Sequence, residues 1–215
     1  MPPDRTRLLL ATKNRGKAEE LAALITRIPV PGRSLESLDL ADWEAGREPL
    51  PEPLEGESGF VENARLKAVY YAQTSGLPAL ADDSGLSVVA LGGQPGVLSA
   101  RYGGPGLDDA GRCLFLLEKL GPAPDRRAFF SSVLALARPD GAAIHWEGRL
   151  EGLITREMKG AGGFGYDPIF YHPPSGRTLA ELSPAEKNAI SHRARAARAL
   201  LGDSVRLAAF LDSNE

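Results

Sequence analysis

Cysteine and long apolar runs are both scarce in this sequence. The chain of 215 residues has one cysteine, Cys113, so it can form neither an internal disulfide nor a cysteine-based zinc site. Cys113 precedes the apolar stretch Leu114–Leu117, and we predict a core residue there and not a nucleophile. Near the start, the apolar run Leu8–Ala11 is too short for the core of a signal peptide or for a membrane span. We therefore expect a cytoplasmic protein with no membrane partner.

An excess of basic charge is also missing. The chain has 25 Lys and Arg residues against 28 Asp and Glu residues, which gives a formal net charge of −3. Tight binding to a nucleic acid polymer needs a basic face, because each neutralised phosphate releases counterions. We therefore predict no nucleic acid polymer as a partner, although a local group of lysines and arginines is sufficient for one small phosphorylated ligand.

The composition that is present is that of an ordinary globular protein, with 43% hydrophobic and 25% charged residues. A chain of this length can bury a sizeable core, and it is long for one domain but short for two. We predict a single domain over residues 1–215, of a size that can have two lobes.

Short apolar segments alternate with helical patterns along the chain. Leu8–Ala11 and Leu77–Ala81 have the length and composition of buried strands, and each runs directly into polar residues. Other predicted elements are helices after residue 17, over about 60–74 and 108–120 and at the C-terminus, and a hairpin with arms 128–137 and 142–148 around Pro139-Asp140-Gly141. This alternation predicts an α/β fold with a mixed sheet, and ligand groups gather beyond the carboxyl ends of strands in such sheets.

The polar turn after the first predicted strand precedes a helix. Unpaired N–H groups at a helix start attract anions, Thr12 and Asn14 can donate hydrogen bonds to phosphate oxygens, and Lys17 adds a positive charge. A P-loop would need glycine in place of Ala11 and Ser or Thr in place of Ala18, so a P-loop is excluded. Taken alone, the turn fits a phosphate site and a solvated loop equally well.

Asp82 and Asp83 are predicted to follow the end of the second strand. Two adjacent carboxylates repel each other and lose solvation in that position, which a structure tolerates when a cation is present. Mg²⁺ prefers one or two carboxylates together with phosphate oxygens and waters. Glu55, in an acidic and proline-rich loop over residues 44–59, is a candidate third ligand. The alternative is that the Asp-Asp pair caps a turn.

Two lysines and a glycine-rich loop are candidates for nucleotide contacts. Lys67 and Lys187 can neutralise part of a polyphosphate, although lone lysines are usually solvated. The loop Gly162–Pro168 offers Phe164 for stacking on a base, an interaction of roughly 1–3 kcal/mol. The alternative is a tight turn with Phe164 packed into the core.

A helix start is predicted at Ser183-Pro184-Ala185-Glu186, which has the pattern of a capping box with proline at the first helical position. In one unbroken helix, Lys187 and His192 would be about 140° apart at roughly 100° per residue, so they would not easily face the same ligand. Because Ser191 is itself a good N-cap, we predict a break near Ala189–Ser191 and a second helix after it.

These segments together resemble the inosine triphosphate pyrophosphatase family, in order from residue 8 to about residue 201. The matching segments are Ala11-Thr12-x-Asn14-x-Gly16-Lys17, Phe60-Val61-Glu62-Asn63-Ala64 with Lys67, Ala81-Asp82-Asp83-Ser84-Gly85-Leu86, Ser99-Ala100-Arg101-Tyr102, Gly162 to Phe170, and Glu186-Lys187-x-x-Ile190-Ser191-His192-Arg193.

The resemblance implies an elongated mixed sheet with flanking helices, two lobes around a central nucleotide cleft, and a homodimer. It also implies Mg²⁺-dependent hydrolysis of deaminated purine nucleoside triphosphates (ITP, dITP and XTP) to the monophosphate and pyrophosphate. By position, Asp83 would be a metal ligand and the proton acceptor, and Asp82 and Glu55 would assist at the metal. The implied substrate-binding residues are Thr12, Lys13, Asn14, Arg15, Gly16, Lys17, Lys67, Ser84, Phe164, Gly165, Tyr166, Asp167, Lys187, His192 and Arg193.

One segment departs from the family pattern. The family reads Glu-x-Gly-x-Thr-Phe before its Glu-Asn-Ala, whereas this chain has Glu55-Gly56-Glu57-Ser58-Gly59-Phe60. The glycine has moved and the threonine is absent, so Glu57 competes with Glu55 for the role of third carboxylate.

Base selection is predicted to involve His192 and Arg193. Both can donate hydrogen bonds to the 6-oxo group of hypoxanthine and xanthine, whereas adenine presents an amino donor there. Two other functions stay open at this point: hydrolysis of a pyrimidine nucleoside triphosphate, and a regulatory nucleotide-binding domain that would not need Asp83.

Overall fold

A computed structural model describes residues 4–25, 30–31 and 33–213. The elements along the chain are β1 (Asp4–Leu10), α1 (Arg15–Ile25), β2 (Arg33–Asp39), α2 (Leu40–Glu44), α3 (Phe60–Ser75), β3 (Ala79–Val88), α4 (Asp109–Leu120), β4 (Arg127–Ala137), β5 (Ala143–Ile154), β6 (Phe170–His172), β7 (Arg177–Thr178), α5 (Pro184–Ile190), α6 (His192–Gly202) and α7 (Ser204–Asp212). No helix in this described part is long and apolar enough to cross a membrane.

The described strands form one mixed sheet in the order β2-β1-β3-β4-β5-β6-β7. β1 pairs in parallel with both β2 and β3, whereas β6 pairs antiparallel with β5 and with β7. The sheet and its helices confirm the predicted α/β class. Strand β2 and helix α2 were not predicted, because β2 is a mostly polar strand at the sheet edge whose apolar residues, Leu35 and Leu38, are few.

The predicted hairpin is present between β4 and β5. The amide of Arg138 donates to Ala142 O at 2.9 Å, and the amide of Gly141 donates to Arg138 O at 3.0 Å. Gly141 has a φ of 91°, a conformation that favours glycine. The turn residues therefore act as their sequence predicts.

The helix starts and stops near the C-terminus also follow the sequence. The Ser183 hydroxyl accepts from Glu186 N at 3.3 Å and the Glu186 carboxylate accepts from Ser183 N at 2.8 Å, which is the predicted capping box. Helix α5 ends at Ile190, Ser191 is extended, and α6 begins at His192. The predicted break between Lys187 and His192 is confirmed.

The prediction that the second strand ends at Ala81 is wrong. Strand β3 continues through Asp82 and Asp83 to Val88, because Leu86 and Val88 are buried and keep the chain extended in the sheet. Asp82 and Asp83 are therefore inside a strand, where successive side chains point to opposite faces.

The chain divides into two compact units. Unit 1 comprises the described residues up to Asp83, Ser132–Gly148 and the described residues from Arg193 onward, and unit 2 comprises Ser84–Ser131 and Arg149–His192.

Unit 1 has a core on each face of its strands. On one face, leucines of alternate strand positions pack with α1, α6 and α7. On the other face, residues of the intervening positions, most of them alanine, pack against α3, whose alanines Ala64, Ala68 and Ala72 are fully buried. The first set includes Leu8, Leu10, Leu80, Leu134 and Leu136, and the second includes Leu9, Ala11, Ala79, Ala81, Val133 and Ala135. Because side chains alternate along a strand, Asp82 lies on the same face as Leu80, and Asp83 lies on the same face as Ala81.

Unit 2 has its own core, which includes Leu86, Leu116, Phe130 and Phe170. Cys113 is fully buried in this core, as predicted. Burial raises the pKa of its thiol to about 12, so the thiolate that a nucleophile requires is scarce at neutral pH.

Candidate functional site

The turn between β1 and α1 is shaped by two of its own predicted phosphate ligands. The Asn14 side-chain oxygen accepts from Lys17 N at 3.0 Å, and the Thr12 hydroxyl accepts from Asn14 N at 3.2 Å. Asn14 is therefore the N-cap of α1, and Gly16 lies half-buried in the first turn of the helix. These contacts make the start of α1 a short, ordered turn.

The three cations of this turn have different surroundings. Lys13 is exposed and donates to Leu50 O at 2.6 Å. Arg15 bonds Glu19 at 2.8 Å, one helical turn along, with 92% of its side chain exposed. Lys17 points inward instead, and its ammonium lies 2.9 Å from Asp82 Oδ2. Of the three cations, Lys17 is the one joined to a buried acid.

Asp82 lies at the centre of a buried ion network, which we call the Asp82 network (Lys17, Glu20, Asp82, Ser132 and Arg193). Asp82 Oδ2 contacts Lys17 Nζ and Arg193 Nη2, each at 2.9 Å, and Asp82 Oδ1 accepts from the Ser132 hydroxyl at 2.6 Å. The Asp82 side chain is 0% exposed. Burial alone raises the pKa of Asp82, but Arg193, Lys17 and Ser132 hold it well below its usual value.

Asp83 lies on the opposite face of β3, in a group that we call the Lys67 cluster (Glu55, Lys67 and Asp83). The Lys67 ammonium is 3.0 Å from Asp83 Oδ1 and 2.6 Å from Glu55 Oε1, and it also donates to Asp82 O at 3.0 Å. Asp83 Oδ2 is buried and has no hydrogen-bond partner among the described residues. Burial raises the pKa of Asp83, against the opposing charge of Lys67.

The predicted grouping of Asp82, Asp83 and Glu55 around one ion needs correction. The two aspartates point to opposite faces of β3, and Asp82 is bonded to two cations and a hydroxyl. Within the described ranges, no three His, Cys, Asp or Glu side chains are arranged to hold a metal ion. What remains is a pair of carboxylates, Asp83 and Glu55, on the α3 side of the strand.

Glu55 and not Glu57 is the acid that lies beside Asp83. Glu57 is exposed, whereas Glu55 contacts Lys67. The loop next to Glu55 is held by the buried Asn63, whose side chain accepts from Gly56 N at 3.0 Å and donates to Gly56 O at 3.1 Å.

Three residues that contact the site were not among the predicted site residues: Asn63, Ser132 and Glu20. Asn63 is a single buried amide on the alanine-rich face of α3, and a polar residue at that position is a signal that the sequence contains. Ser132 and Glu20 carry no such signal, because each meets its partner from a distant part of the chain.

Arg193 is bonded to two acids of the Asp82 network. Its side chain is 1% exposed, with Nη2 on Asp82 and Nη1 on Glu20. These two charge-assisted bonds fix the guanidinium between Asp82 and Glu20, and the role of Arg193 in base reading stays a prediction.

In unit 2, Asp167 joins the predicted loop to α5. Its Oδ2 lies 2.5 Å from Lys187 Nζ and accepts from Phe164 N at 2.9 Å. The Lys187 ammonium also lies 4.4 Å from the centre of the Phe164 ring, a cation–π distance. Gly163 has a φ of +71°, and a Cβ there would lie 2.1 Å from Asp167 Oδ2, so only glycine fits this turn.

The two aromatic residues of this loop have different positions. Phe164 is half-buried, which leaves part of its ring surface accessible. Tyr166 is buried in the unit 2 core, and its hydroxyl donates to Ser99 O at 2.9 Å. The Tyr166 ring therefore packs in the core, and the role of Tyr166 in substrate binding stays a prediction. Between them, Gly165 N donates to Asp109 Oδ2 at 2.6 Å.

His192 and Ser84 complete the predicted set. The His192 ring stacks on Phe130, with ring centres 4.6 Å apart and planes inclined by 12°. The imidazole is 5% exposed, so its orientation is set by packing. Ser84 is half-buried on β3.

The mixed sheet, the capped turn at the start of α1 and the lysine–carboxylate pairs define an α/β protein with charged groups concentrated at the turn after β1 and along β3. A model of the Ham1 family matches residues 8–203. The chain therefore belongs to the Ham1 family.

Individual relatives agree with this assignment. A dITP/XTP pyrophosphatase of Thermus thermophilus is 49% identical over 197 residues, which cover 91% of this chain and 90% of the relative. A dITP/XTP pyrophosphatase of Desulfotalea psychrophila is 42% identical over 205 residues, covering 95% and 88%. The structure of a HAM1 protein from Coxiella burnetii superposes with a TM-score of 0.79 at 42% identity, covering 92% of this chain and 97% of that one.

Proposed function

We propose that this chain is a nucleoside triphosphate pyrophosphatase that hydrolyses deaminated purine nucleoside triphosphates (ITP, dITP and XTP) to the monophosphate and pyrophosphate. Two relatives that share 42–49% of their residues with it over most of their length are named dITP/XTP pyrophosphatases. The observation in the molecule itself that carries the proposal is the Lys67 cluster, where a buried carboxylate, a second acid and a lysine converge.

The triphosphate is assigned to unit 1. Lys17 and Lys67 provide positive charge, and the backbone N–H groups of Arg15 and Gly16 provide donors at the start of α1. The N–H groups of Thr12, Asn14 and Lys17 already donate within the turn. Asp82 orients Lys17, and we assign it this positioning role in place of the predicted role of metal ligand. Arg193 supports Asp82 in the same way.

A divalent cation, Mg²⁺ in the cell, is assigned to Asp83 and Glu55. The residues present fit such an ion, because Asp83 Oδ2 is a buried oxygen with no partner in the described part of the chain, and Mg²⁺ commonly uses one or two carboxylates. The bound ion supplies positive charge to the phosphate oxygens. Asp83 also accepts the proton of the attacking water.

The nucleoside is assigned to unit 2. The accessible part of the Phe164 ring stacks on the base, while Asp167 and Lys187 fix the position of that ring. His192, held by Phe130, donates to the 6-oxo group, and Ser84 provides a further polar contact. Gly165, whose N–H and carbonyl bond Asp109 and Cys113, shapes the loop around Phe164.

The larger-scale expectations are also proposals. We propose that residues 1–215 act as one catalytic domain, that the chain forms a homodimer and that it works in the cytoplasm, in keeping with the family. Light scattering coupled to size-exclusion chromatography measures the oligomeric state directly.

The experiment that tests the function is a panel of nucleoside triphosphates with Mg²⁺, assayed for both pyrophosphate and orthophosphate. We expect pyrophosphate from ITP, dITP and XTP, with far less from ATP and GTP. Orthophosphate as the product would contradict the proposed reaction. A preference for dUTP or dCTP would indicate a pyrimidine enzyme, and binding without turnover would indicate a regulatory domain.

A further inference from the structure

The ammonium of Lys67 occupies the space between the two carboxylates that are assigned to the divalent cation. It contacts Glu55 Oε1 at 2.6 Å and Asp83 Oδ1 at 3.0 Å, and a third bond to Asp82 O at 3.0 Å completes the three donors of the ammonium group. The Lys67 side chain is 14% exposed, so solvent screens these contacts weakly.

We infer that Lys67 keeps the divalent cation out of the nucleotide-free protein, so that the cation enters together with the triphosphate. The ammonium bonds Asp83 Oδ1 and Glu55 Oε1, and the cation is assigned to the same two carboxylates, so two positive charges in one poorly solvated site would repel each other. A triphosphate offers Lys67 other anionic oxygens, which frees the carboxylates for the ion. This inference rests on the proposed assignment of Asp83 and Glu55 as metal ligands.

Lys67 can move from the carboxylates to the triphosphate without movement of the backbone around the cluster. Helix α3 is fixed to the sheet by the fully buried alanines Ala64 and Ala68, on either side of Lys67 in the helix. Glu55 directly precedes Gly56, whose backbone Asn63 holds through two hydrogen bonds. Because the backbone on both sides is anchored, the long and flexible lysine side chain is the part of the cluster that can change partners.

The test is binding of Mn²⁺, a paramagnetic substitute for Mg²⁺, to the full-length protein without nucleotide, measured by electron paramagnetic resonance and by calorimetry. The wild type should bind Mn²⁺ weakly. Lys67→Met and Lys67→Gln remove the competing charge and should bind Mn²⁺ roughly 10- to 100-fold more tightly, the range expected for one hydrogen bond to a charged group. Lys67→Arg keeps the charge and should bind as weakly as the wild type.

Two further variants locate the effect. Lys159→Met removes a lysine from an exposed ion pair with Glu157 and should leave Mn²⁺ binding unchanged. Adding Asp83→Asn to Lys67→Met should abolish the gain. A second measurement, the rise in Tm on adding Mn²⁺, should be large for Lys67→Met and small for the wild type, because a ligand that binds the native state stabilises it.

The inference is overturned if both charge-removing variants bind Mn²⁺ no more tightly than the wild type, or if the gain persists with Asp83→Asn. Failure of the proposed function is recognised separately, as wild-type pyrophosphate release that does not depend on a divalent cation. If release depends on the cation but the Lys67 variants gain no affinity, the inference alone is wrong.

Discussion

The adjacent aspartates of β3 can be compared by making the same substitution at each position. Asp82→Asn and Asp83→Asn both remove one negative charge and keep the shape of the side chain. Asp82 holds the buried Arg193 and the half-buried Lys17 on one face of the strand. Asp83, on the other face, has one oxygen without a hydrogen-bond partner in the described part of the chain. We therefore expect Asp82→Asn to reduce stability and Asp83→Asn to reduce activity.

The size of the stability loss follows from burial. Removing one partner of a buried ion pair costs about 3–5 kcal/mol, because the other charge stays buried without compensation. Arg193, 1% exposed, keeps Glu20 as a partner, and asparagine still offers an oxygen to Ser132, so we expect a loss near the lower limit. At about 3 kcal/mol, the Tm of a chain of this size should fall by roughly 6–12 °C. For Asp83→Asn we expect the free energy of unfolding to change by no more than about 1 kcal/mol. Burial raises the pKa of Asp83, so its charged form is unfavourable there and a neutral side chain costs little stability.

The activities should follow the opposite order. Loss of a general base alone lowers kcat by about 100- to 10,000-fold, so Asp83→Asn should be nearly inactive although folded. Asp82→Asn should keep more of its kcat than Asp83→Asn, with its main kinetic defect in KM, because Lys17 loses its anchor. Urea unfolding followed by circular dichroism and steady-state pyrophosphate release give the two readouts. Ser132→Ala is a matched control, since it removes one hydrogen bond from Asp82 and leaves every charge in place.

Two results would refute this reasoning. If the free energy of unfolding of Asp82→Asn is within about 1 kcal/mol of the wild-type value, Asp82 is not the centre of a buried ion network. If folded Asp83→Asn keeps more than about a tenth of the wild-type kcat, Asp83 is neither the base nor a metal ligand.

Further predictions concern the ligands of the proposed site. Lys17→Ala should lower kcat/KM for ITP by roughly 10- to 100-fold, the loss expected for one charged hydrogen bond, and a change of less than twofold would place the triphosphate elsewhere. Removal of divalent cations with EDTA should abolish pyrophosphate release, and Mg²⁺ should restore it; turnover that persists in EDTA would contradict the metal assignment. Phe164→Ala should raise KM for ITP by a factor that corresponds to roughly 1–3 kcal/mol of lost base stacking, whereas an unchanged KM would mean that the ring contacts only Lys187. Arg193→Ala should lower kcat/KM for ITP and ATP by similar factors, because Arg193 contacts Asp82; a loss confined to ITP would show that Arg193 reads the base.

Elements defined by local contacts could be predicted from the sequence. The capping box of Ser183 and Glu186 spans four residues, and the hairpin turn around Gly141 is equally short, so both carry their information in adjacent letters. The predicted family and the α/β class are confirmed for the same reason: they depend on ordered motifs along the chain.

The sequence could not decide which of two nearby residues of similar type contributes to the site. Glu55 and Glu57 could not be ranked from the sequence, and Glu55 is distinguished by its contact with Lys67 of α3. Tyr166 and Phe164 share one loop, yet the first is a core residue and the second is accessible. Each outcome depends on a partner from another part of the chain.

The sequence by itself determined the family, the helix and turn signals and the set of charged residues from which a site can be built. The tertiary structure decided how those charges are paired. Asp82 meets Ser132 across 50 positions and Arg193 across 111 positions, and whether it does so depends on β3 continuing past Ala81 in register with its neighbours. Because side chains of a strand alternate between faces, that continuation separates Asp82 from Asp83 and leaves one as an anchor and the other facing Lys67 and Glu55.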